Sequence, residues 1–272
     1  SVVFGFVKFL RDIQKRERPD LLGVAFDPKG GSFRRDIFPE YKANRSETPE
    51  DILLSIPYVK RVLDAMCIPI LEVAGYEADD VIGTLSQKGV EAGYDVYMVT
   101  PDKDYGQLVR DNCRIYKQRG AEGSIEIVDR EAIREKYGIE PPQLIDVKSL
   151  MGDASDNIPG VPGIGEKTAL ALISKFGSLQ GVYDNIEDKA VKPGQRAKLT
   201  ANRDKADLSY MLGTIRKDAP IETDPAAYLR QPGDPAAAAQ LLAALEMHKL
   251  VDRWGLNGGT APAPSENATP LE

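Results

Sequence analysis

The sequence predicts an α/β fold, with a mostly parallel twisted sheet flanked by helices and followed by a helical subdomain. As far as Val128, short apolar runs alternate with helical patterns, and this alternation favours a parallel sheet with crossover helices. From Asp129 onward only helical patterns remain. We therefore divide the chain into an α/β core at 1–145 and a helical subdomain at 146–255.

Strands are predicted where a short apolar run lies between polar turns, which gives 21–26, 68–73, 94–100, 112–117 and 124–128. Helices are predicted from apolar residues at 3.6-residue spacing, or from a helix start such as Thr48-Pro49-Glu50-Asp51. The predicted helices are 2–16, 49–66, 77–92, 129–137, 141–151, 166–176, 195–212 and 234–247. Pro57 indicates a bend in the second helix.

Two stretches fall outside this alternation. The segment 28–50 is polar, basic and rich in Gly and Pro, and it is long for a connection in a compact domain. We expect it to be functional or mobile. The tail at 256–272 consists mainly of Gly, Thr, Ala, Pro and Ser, which predicts a flexible linker.

The composition excludes several classes of protein and of site. The 272 residues contain no membrane-length apolar run and no signal-peptide pattern, so we expect a cytoplasmic protein that does not contact membranes. Cys67 and Cys113 lie far apart and fit reduced thiols. The single histidine, His248, argues against a zinc site and against Ser-His or Cys-His catalysis. The net charge of −7 does not exclude nucleic-acid binding, because local basic patches decide it.

Acidic residues are expected to converge at one edge of the sheet, because functional side chains collect at the carboxyl ends of parallel strands. The candidate metal ligands are Asp27, Glu77, Asp79, Asp80, Asp102, Asp104, Asp153 and Asp156. Two carboxylates about 6 Å apart repel by roughly 3 kcal/mol, so several in one pocket predict bound cations. Carboxylate ligands favour two or more Mg²⁺ or Mn²⁺ ions, and such ions suit phosphodiester hydrolysis.

Each acidic group taken alone also has a structural explanation. The helix dipole favours acids such as Asp79 and Asp80 at a helix N-terminus. Asp102 and Asp104 could belong to a solvated turn, and Asp153 could form an Asx turn. The joint occurrence of all the groups favours a metal site.

A basic segment follows Asp27 and interleaves cations with aromatic rings. Cations can contact phosphates and rings can stack on unpaired bases, so we expect this segment to hold a single strand. Its candidate DNA-binding residues are Arg34, Arg35 and Tyr41, and its further cations are Lys42 and Arg45. A solvated basic loop is the alternative, and the position next to Asp27 favours DNA.

A glycine-rich turn opens the predicted helix at 166–176. The pattern resembles a helix-hairpin-helix, here placed at 157–177, which grips duplex DNA through backbone N–H groups. The candidate DNA-binding residues are Gly160, Gly163, Gly165, Lys167 and Thr168. A generic Gly/Pro turn is the alternative.

Five motifs resemble, in the same order, the 5′ nuclease domain of bacterial DNA polymerase I, a member of the flap endonuclease superfamily. They are Ala25-Phe26-Asp27, Tyr41-Lys42-Ala43-Asn44-Arg45, Glu77-Ala78-Asp79-Asp80, Thr100-Pro101-Asp102-Lys103-Asp104 and the run from Gly152-Asp153 to Ala169. The resemblance extends from residue 1 to about 255. It implies a PIN-like nuclease core that removes 5′ flaps and 5′ ends of DNA, and RNA primers on DNA, in replication and repair.

The resemblance also implies roles for particular residues and partners. Lys42 and Arg45 would be catalytic groups near the scissile phosphate, beneath an arch formed by 28–50. A K⁺ ion would bind backbone carbonyls of the hairpin. The chain would be a bacterial monomer tethered to a polymerase through its C-terminal linker.

Two departures from the family pattern stand out. The family places a first β-strand, with one more metal-binding aspartate, before the helix that opens this chain, so we expect a core without its first strand. Pro101 replaces a glycine that the family usually has, with little expected consequence.

Two other functions remain open. The chain could be a DNA-binding fragment with weak or no catalysis, because the first strand is missing. It could instead be another metal-dependent phosphohydrolase, although the hairpin argues against a small substrate. Metal-dependent cleavage of 5′-flap DNA distinguishes the nuclease from the DNA-binding fragment.

Overall fold

A computed structural model of the chain describes residues 2–120 and 123–256. The strands are β1 (Val24–Ala25), β2 (Ile70–Leu71), β3 (Val96–Val99), β4 (Cys113–Arg119) and β5 (Ser124–Val128). The α-helices are α1 (Val2–Glu17), α2 (Phe33–Ile37), α3 (Glu50–Ala65), α4 (Ala78–Glu91), α5 (Arg130–Tyr137), α6 (Leu144–Met151), α7 (Glu166–Phe176), α8 (Leu179–Asp184), α9 (Pro193–Ala201), α10 (Arg203–Gly213), α11 (Pro235–Ala244) and α12 (His248–Trp254). The 3₁₀ helices are Lys103–Leu108, Pro141–Gln143 and Pro225–Tyr228.

The described residues divide into two compact units. The first unit contains 2–24, 47–70 and 224–256, and the second contains 25–46 and 71–223. Every candidate site residue lies in the second unit. The predicted division at 145 and 146 stays a prediction. In the part of the chain that the structure describes, no helix has the length and apolar character needed to cross a bilayer.

The first unit is helical. The helix α1 packs against α3, and α11 packs against α3 and α12. Val3, Leu10 and Ile13 of α1 are buried, as the 3.6-residue spacing predicts, and Val7 is buried with them. Helix α3 continues through Pro57.

The strands pair as an α/β fold requires. Strands β3 and β4 are parallel, and β4 and β5 are antiparallel. The strands β1 and β2 are also parallel, because their hydrogen bonds from Val24 to Pro69 and from Phe26 to Leu71 advance in the same direction along both strands. Both are shorter than predicted, and Pro69 has no N–H to extend the ladder toward the start of β2.

The core of the second unit lies on one face of the sheet and among the helices that follow it. Met98 and Ile115 pack with Leu108 and Ile133 on that face. A second cluster fills the space among α6, α7, α8 and α9, and its fully buried members are Leu150, Ala169, Ile173, Val182, Leu199 and Ala206. These two clusters hold the ends of β3 and α6, where the acidic residues lie.

The structure corrects two predicted helices and one predicted loop. The predicted helix at 195–212 is two helices, because Asn202 ends α9 with its amide donating to the carbonyl of Lys198 at 2.9 Å. The predicted helix at 234–247 ends at Ala244, and Glu246 there has a left-handed φ of 58°. The segment 28–50 contains the short helix α2. The linker prediction falls on 257–272, outside the described residues, except for Leu256.

Candidate metal centre

Three of the predicted carboxylates meet at one point. Oxygen atoms of Asp104, Asp153 and Asp156 all lie within 4.8 Å of one another. Asp104 follows β3, where Asp102 caps a 3₁₀ helix by accepting the Asp104 N–H at 2.8 Å. Sequence reasoning placed these residues together correctly, although their role as metal ligands stays a prediction.

Two of these carboxylates, Asp153 and Asp156, lie in the loop that follows α6. Gly152 ends α6 with a φ of 74°, a left-handed conformation that favours glycine. Asp153 and Ile158 then exchange both of their backbone hydrogen bonds, each at 2.9 Å. The closed loop between them carries Asp156, so its position relative to Asp153 is fixed by backbone geometry.

A buried lysine, which sequence reasoning missed, joins two of the carboxylates. The Nζ atom of Lys148 lies 2.6 Å from Asp104 Oδ2 and 2.8 Å from Asp153 Oδ2, and its side chain is 8% exposed. Burial alone would lower the pKa of Lys148, but the two carboxylates outweigh burial and raise it. The site therefore contains a cation of its own, and carboxylate repulsion does not by itself require two metal ions.

The surroundings raise the pKa of one carboxylate of this cluster and lower the pKa of another. Burial raises the pKa of Asp104, and the hydrogen bond from Lys148 offsets this only in part. Burial also acts to raise the pKa of Asp153, but hydrogen bonds from Lys148 and Ser155 outweigh it and lower that pKa to about 2. Asp153 is therefore ionised at neutral pH.

The hydroxyl of Tyr105 is bonded to another of the predicted carboxylates. This hydroxyl donates to Asp79 Oδ1 at 2.7 Å. Burial raises the pKa of Tyr105, and the charges of Asp79, Asp102 and Asp27 raise it further. Asp27 is exposed and accepts the N–H of Ala78 at 2.8 Å, at the start of α4. Sequence reasoning predicted Asp79 as a site residue and missed the tyrosine that donates to it.

Asp79 has a raised pKa of about 6. Burial is the largest cause, and the charges of Glu77 and Asp102 add to it, while Tyr105 and Lys42 act against it. Holding Asp79 in its charged form near neutral pH therefore costs free energy, unless a cation is near.

Asp79→Asn is expected to stabilise the metal-free protein more at pH 7 than at pH 4.5. Because the folded pKa of about 6 exceeds the ordinary 3.8, the folded state binds more protons between these values, and stability falls as pH rises through them. Asparagine at position 79 does not titrate, so the variant does not lose this stability as the pH rises. Urea unfolding in chelator at both pH values measures the difference, with Asp207→Asn as the control at an exposed carboxylate. An equal difference at both pH values would contradict this assignment.

Two residues of the basic segment form hydrogen bonds with Glu77. Lys42 Nζ lies 3.0 Å from both of its carboxylate oxygens, and Tyr41 donates to it at 3.2 Å. Glu77 and Asp80 also form a capping box at the start of α4, as the structural alternative for these acids anticipated. Glu77 thus combines a capping role with a contact to a candidate catalytic lysine.

Arg34 and Asp80 form a buried pair. Two guanidinium nitrogens of Arg34 lie 2.8 Å from the two oxygens of Asp80, and Arg34 also donates to the carbonyls of Leu212 and Thr214. The backbone N–H of Arg216 donates to Asp80 as well. Arg34 is 2% exposed and Asp80 0%. The placement favours a structural role over the predicted DNA contact and metal ligation.

The other members of the basic segment differ in exposure. Tyr41 is 3% exposed and packs with Ile158 and Leu212, so its ring offers no face for base stacking. Arg35 is exposed, and Arg45 is about half exposed while it hydrogen-bonds to Asp156. Arg45 is therefore a half-exposed cation beside a carboxylate of the cluster, while the predicted aromatic contact at Tyr41 lies inside the protein.

The glycine hairpin lies next to the carboxylate loop. Gly160 has a φ of 61°, and a Cβ there would lie 2.2 Å from the nitrogen of Gly152, so only glycine fits. Gly163 has a φ of 81°, and its carbonyl accepts from Lys198 Nζ at 3.2 Å. Gly165 precedes α7, whose first turn presents the exposed Lys167 and the partly buried Thr168. Sequence reasoning missed Lys198, which adds a cation beside the turn.

Comparison with known proteins identifies the family of this chain. The N-terminal resolvase-like domain of the 5′-3′ exonuclease family matches residues 1–138, and the C-terminal SAM fold of that family matches residues 139–236. The thermostable DNA polymerase I of Thermus thermophilus is 40% identical over 269 residues, which are 98% of this chain and 31% of the relative. DNA polymerase I of Bacillus subtilis is 37% identical over 261 residues, 96% of this chain and 30% of the relative. The chain thus spans about a third of the length of these curated relatives.

Solved structures share the fold at low sequence identity. The T5 5′-exonuclease with bound divalent metal ions (zinc) has a TM-score of 0.64 and 22% identity, covering 93% of this chain and 88% of that one. The catalytic core of Rad2 in complex with DNA substrate has a TM-score of 0.62 and 19% identity, covering 93% and 82%. The motifs, the α/β core with its helical extension and the sequence matches agree, and the chain belongs to the 5′-3′ exonuclease family.

Proposed function

We propose that the chain is a 5′ nuclease that uses Mg²⁺ or Mn²⁺, two or more ions, to hydrolyse DNA at 5′ flaps and 5′ ends and to remove RNA primers from DNA. The observation that carries the proposal is the convergence of Asp104, Asp153 and Asp156 beside the cations Lys42 and Arg45. The divalent ions of the T5 exonuclease structure and the DNA substrate of the Rad2 structure support it.

The donor set fits hard divalent cations. Oxygen ligands of one Mg²⁺ ion, each at about 2.1 Å, lie at most about 4.2 Å apart, so oxygens within 4.8 Å need only a small contraction. Asp79, which accepts a hydrogen bond from Tyr105, and the predicted ligands Asp27 and Asp102 would hold a further ion. When bound, such ions lower the pKa of a water and offset charge on the leaving oxygen.

The chain's own cations would bind the phosphate. Lys42 is held by Glu77 and Arg45 by Asp156, so both are already placed at the carboxylates. A phosphate that enters the site would take the place of these carboxylate partners, with lysine acting as a point charge and arginine as a planar donor. Arg35 is exposed on the same segment and would contact the strand outside the site.

The hairpin would hold the duplex. Backbone N–H groups at the start of α7 and the exposed Lys167 suit a phosphate, because the helix dipole favours an anion there. Lys198, at Gly163, would add a second cation. These contacts carry no base information, so the duplex would be recognised by its backbone. We also propose that a K⁺ ion binds backbone carbonyls of the hairpin.

The DNA polymerase I relatives are the basis for a proposal about the whole protein. We infer a bacterial, cytoplasmic and monomeric setting, with the 1–145 core, the 146–255 helical subdomain and the 256–272 linker joined to a polymerase in DNA polymerase I. The corresponding processes would be replication and repair.

Incubation of the chain with 5′-flap duplex DNA tests the nuclease. Cleavage near the flap junction is expected with Mg²⁺ or Mn²⁺ and is expected to stop in chelator. A DNA-binding protein without catalysis is the second candidate, because Lys148 already joins Asp104 and Asp153 where a cation would bind. Binding of the flap duplex with no cleavage in either metal would support this second candidate and contradict the first.

A further inference from the structure

The basic segment and the carboxylate loop are joined by a reciprocal pair of side-chain hydrogen bonds. We call 40–45 the basic strap and 153–157 the carboxylate loop. Asn44 of the strap donates its amide to the carbonyl of Ala154 in the loop at 2.6 Å. Asn157 of the loop donates its amide to the carbonyl of Glu40 in the strap at 2.7 Å. The two bonds therefore link both ends of the strap to the loop.

The backbone between these two bonds is also constrained. The N–H of Lys42 donates to the carbonyl of Asp156 at 2.9 Å, between the two amide contacts. Lys42 has a φ of 56° and Asn157 a φ of 55°, left-handed conformations that persist in non-glycine residues only when the surroundings hold them. Asparagine tolerates this conformation better than most residues, so Asn157 suits its position on both counts.

The joint fixes the distance between candidate catalytic cations and candidate metal ligands. Lys42 and Arg45 lie on the strap, and Asp153 and Asp156 lie on the loop. Without the joint, the contact from Arg45 to Asp156 would be the remaining side-chain link between the two segments among the described residues. A shift of about 1 Å in such an arrangement can slow catalysis by about 100-fold.

We propose that Asn44 and Asn157 are positioning residues, which latch the basic strap to the carboxylate loop and so set Lys42 and Arg45 relative to the metal site. This proposal rests on the proposed nuclease function. Asn44 is exposed and Asn157 is partly buried, so their hydrogen bonds compete with water and contribute little to global stability. The latch should therefore affect the rate of cleavage much more than it affects folding.

The test uses Asn157→Gly, which keeps the left-handed backbone and removes the amide, and Asn44→Ala. The control is Asn185→Ala, which removes an exposed asparagine amide that donates to the carbonyl of Gly181 at 2.8 Å, away from both segments in sequence. Multiple-turnover cleavage of 5′-flap DNA in Mg²⁺ gives kcat and KM. Each latch variant is expected to lower kcat by about 10- to 100-fold with KM changed less than about threefold. The double variant is expected to be about as slow as the slower single variant, because both amides hold one joint.

A second readout does not depend on activity. Hydrogen exchange at the Lys42 amide is expected to be faster in both latch variants than in the wild type and in the control, because its bond to Asp156 opens more often. Unchanged exchange, or a kcat within twofold of the control in both latch variants, would overturn the proposal. If the wild type cuts no flap DNA, the nuclease function fails, while the exchange measurement still decides whether the latch exists.

Discussion

Arg34→Ala is expected to lower the free energy of unfolding by about 3–5 kcal/mol, the largest stability effect of the single substitutions considered. The change would leave the carboxylate of Asp80, which is 0% exposed, without its two guanidinium hydrogen bonds. An uncompensated buried charge costs about this much. The carbonyls of Leu212 and Thr214 would lose donors as well. Urea unfolding at pH 7 measures the change.

The neighbouring arginine provides a matched control. Arg35 is exposed, so Arg35→Ala is expected to change the free energy of unfolding by no more than about 0.5 kcal/mol. Adding Asp80→Ala to Arg34→Ala is expected to recover part of the lost stability, because the unpaired charge is then gone. If Arg34→Ala were as stable as Arg35→Ala, the buried pair would not have the structural role that its geometry indicates.

Asp153→Asn is expected to lower the rate of flap cleavage by about 100- to 1000-fold, similar to the loss of one preorganised hydrogen-bond donor in an active site. The asparagine keeps the shape of the side chain but removes a carboxylate whose pKa of about 2 keeps it charged at neutral pH. Single-turnover cleavage across a range of Mg²⁺ concentrations measures the effect. More Mg²⁺ is expected to restore part of the rate, because the variant loses affinity for the ion.

An exposed aspartate serves as the control for this substitution. Asp188 pairs with Lys175 on the surface, so Asp188→Asn removes the same charge away from the carboxylate cluster and is expected to leave the rate unchanged. A rate for Asp153→Asn within threefold of the wild type would show that this carboxylate does not take part in metal binding or catalysis.

Local sequence signals predicted much of the scaffold. Apolar spacing located α1, and the helix-start pattern located α3, to within two residues, because each signal depends on neighbours along the chain. The strand-end rule predicted that the acids after β3 would face one edge of the sheet. It does not apply to Asp153 and Asp156, which follow a helix and were included because of their spacing and the family motif.

Long-range partners escaped sequence reasoning. Lys148 lies in a helix whose residues 145–150 are all buried. The sequence signal that could have found it is a lysine among apolar residues on both sides, because a buried lysine requires a partner. The contact between Arg34 and Asp80 joins residues 46 positions apart, and nothing local distinguishes Arg34 from the exposed Arg35 beside it. The same holds for Tyr105, whose hydroxyl is recognisable as part of the site only once Asp79 is known to face it.

Anomalous diffraction from crystals of this chain grown with Mn²⁺ tests most directly whether the carboxylate cluster binds a divalent ion. The expected result is a manganese peak within about 2.2 Å of oxygens from Asp104, Asp153 and Asp156, with Lys148 Nζ moved away from the two carboxylates that it now joins. A crystal that binds manganese elsewhere, with the ion pairs of Lys148 intact and no peak at the three carboxylates, would contradict the metal site.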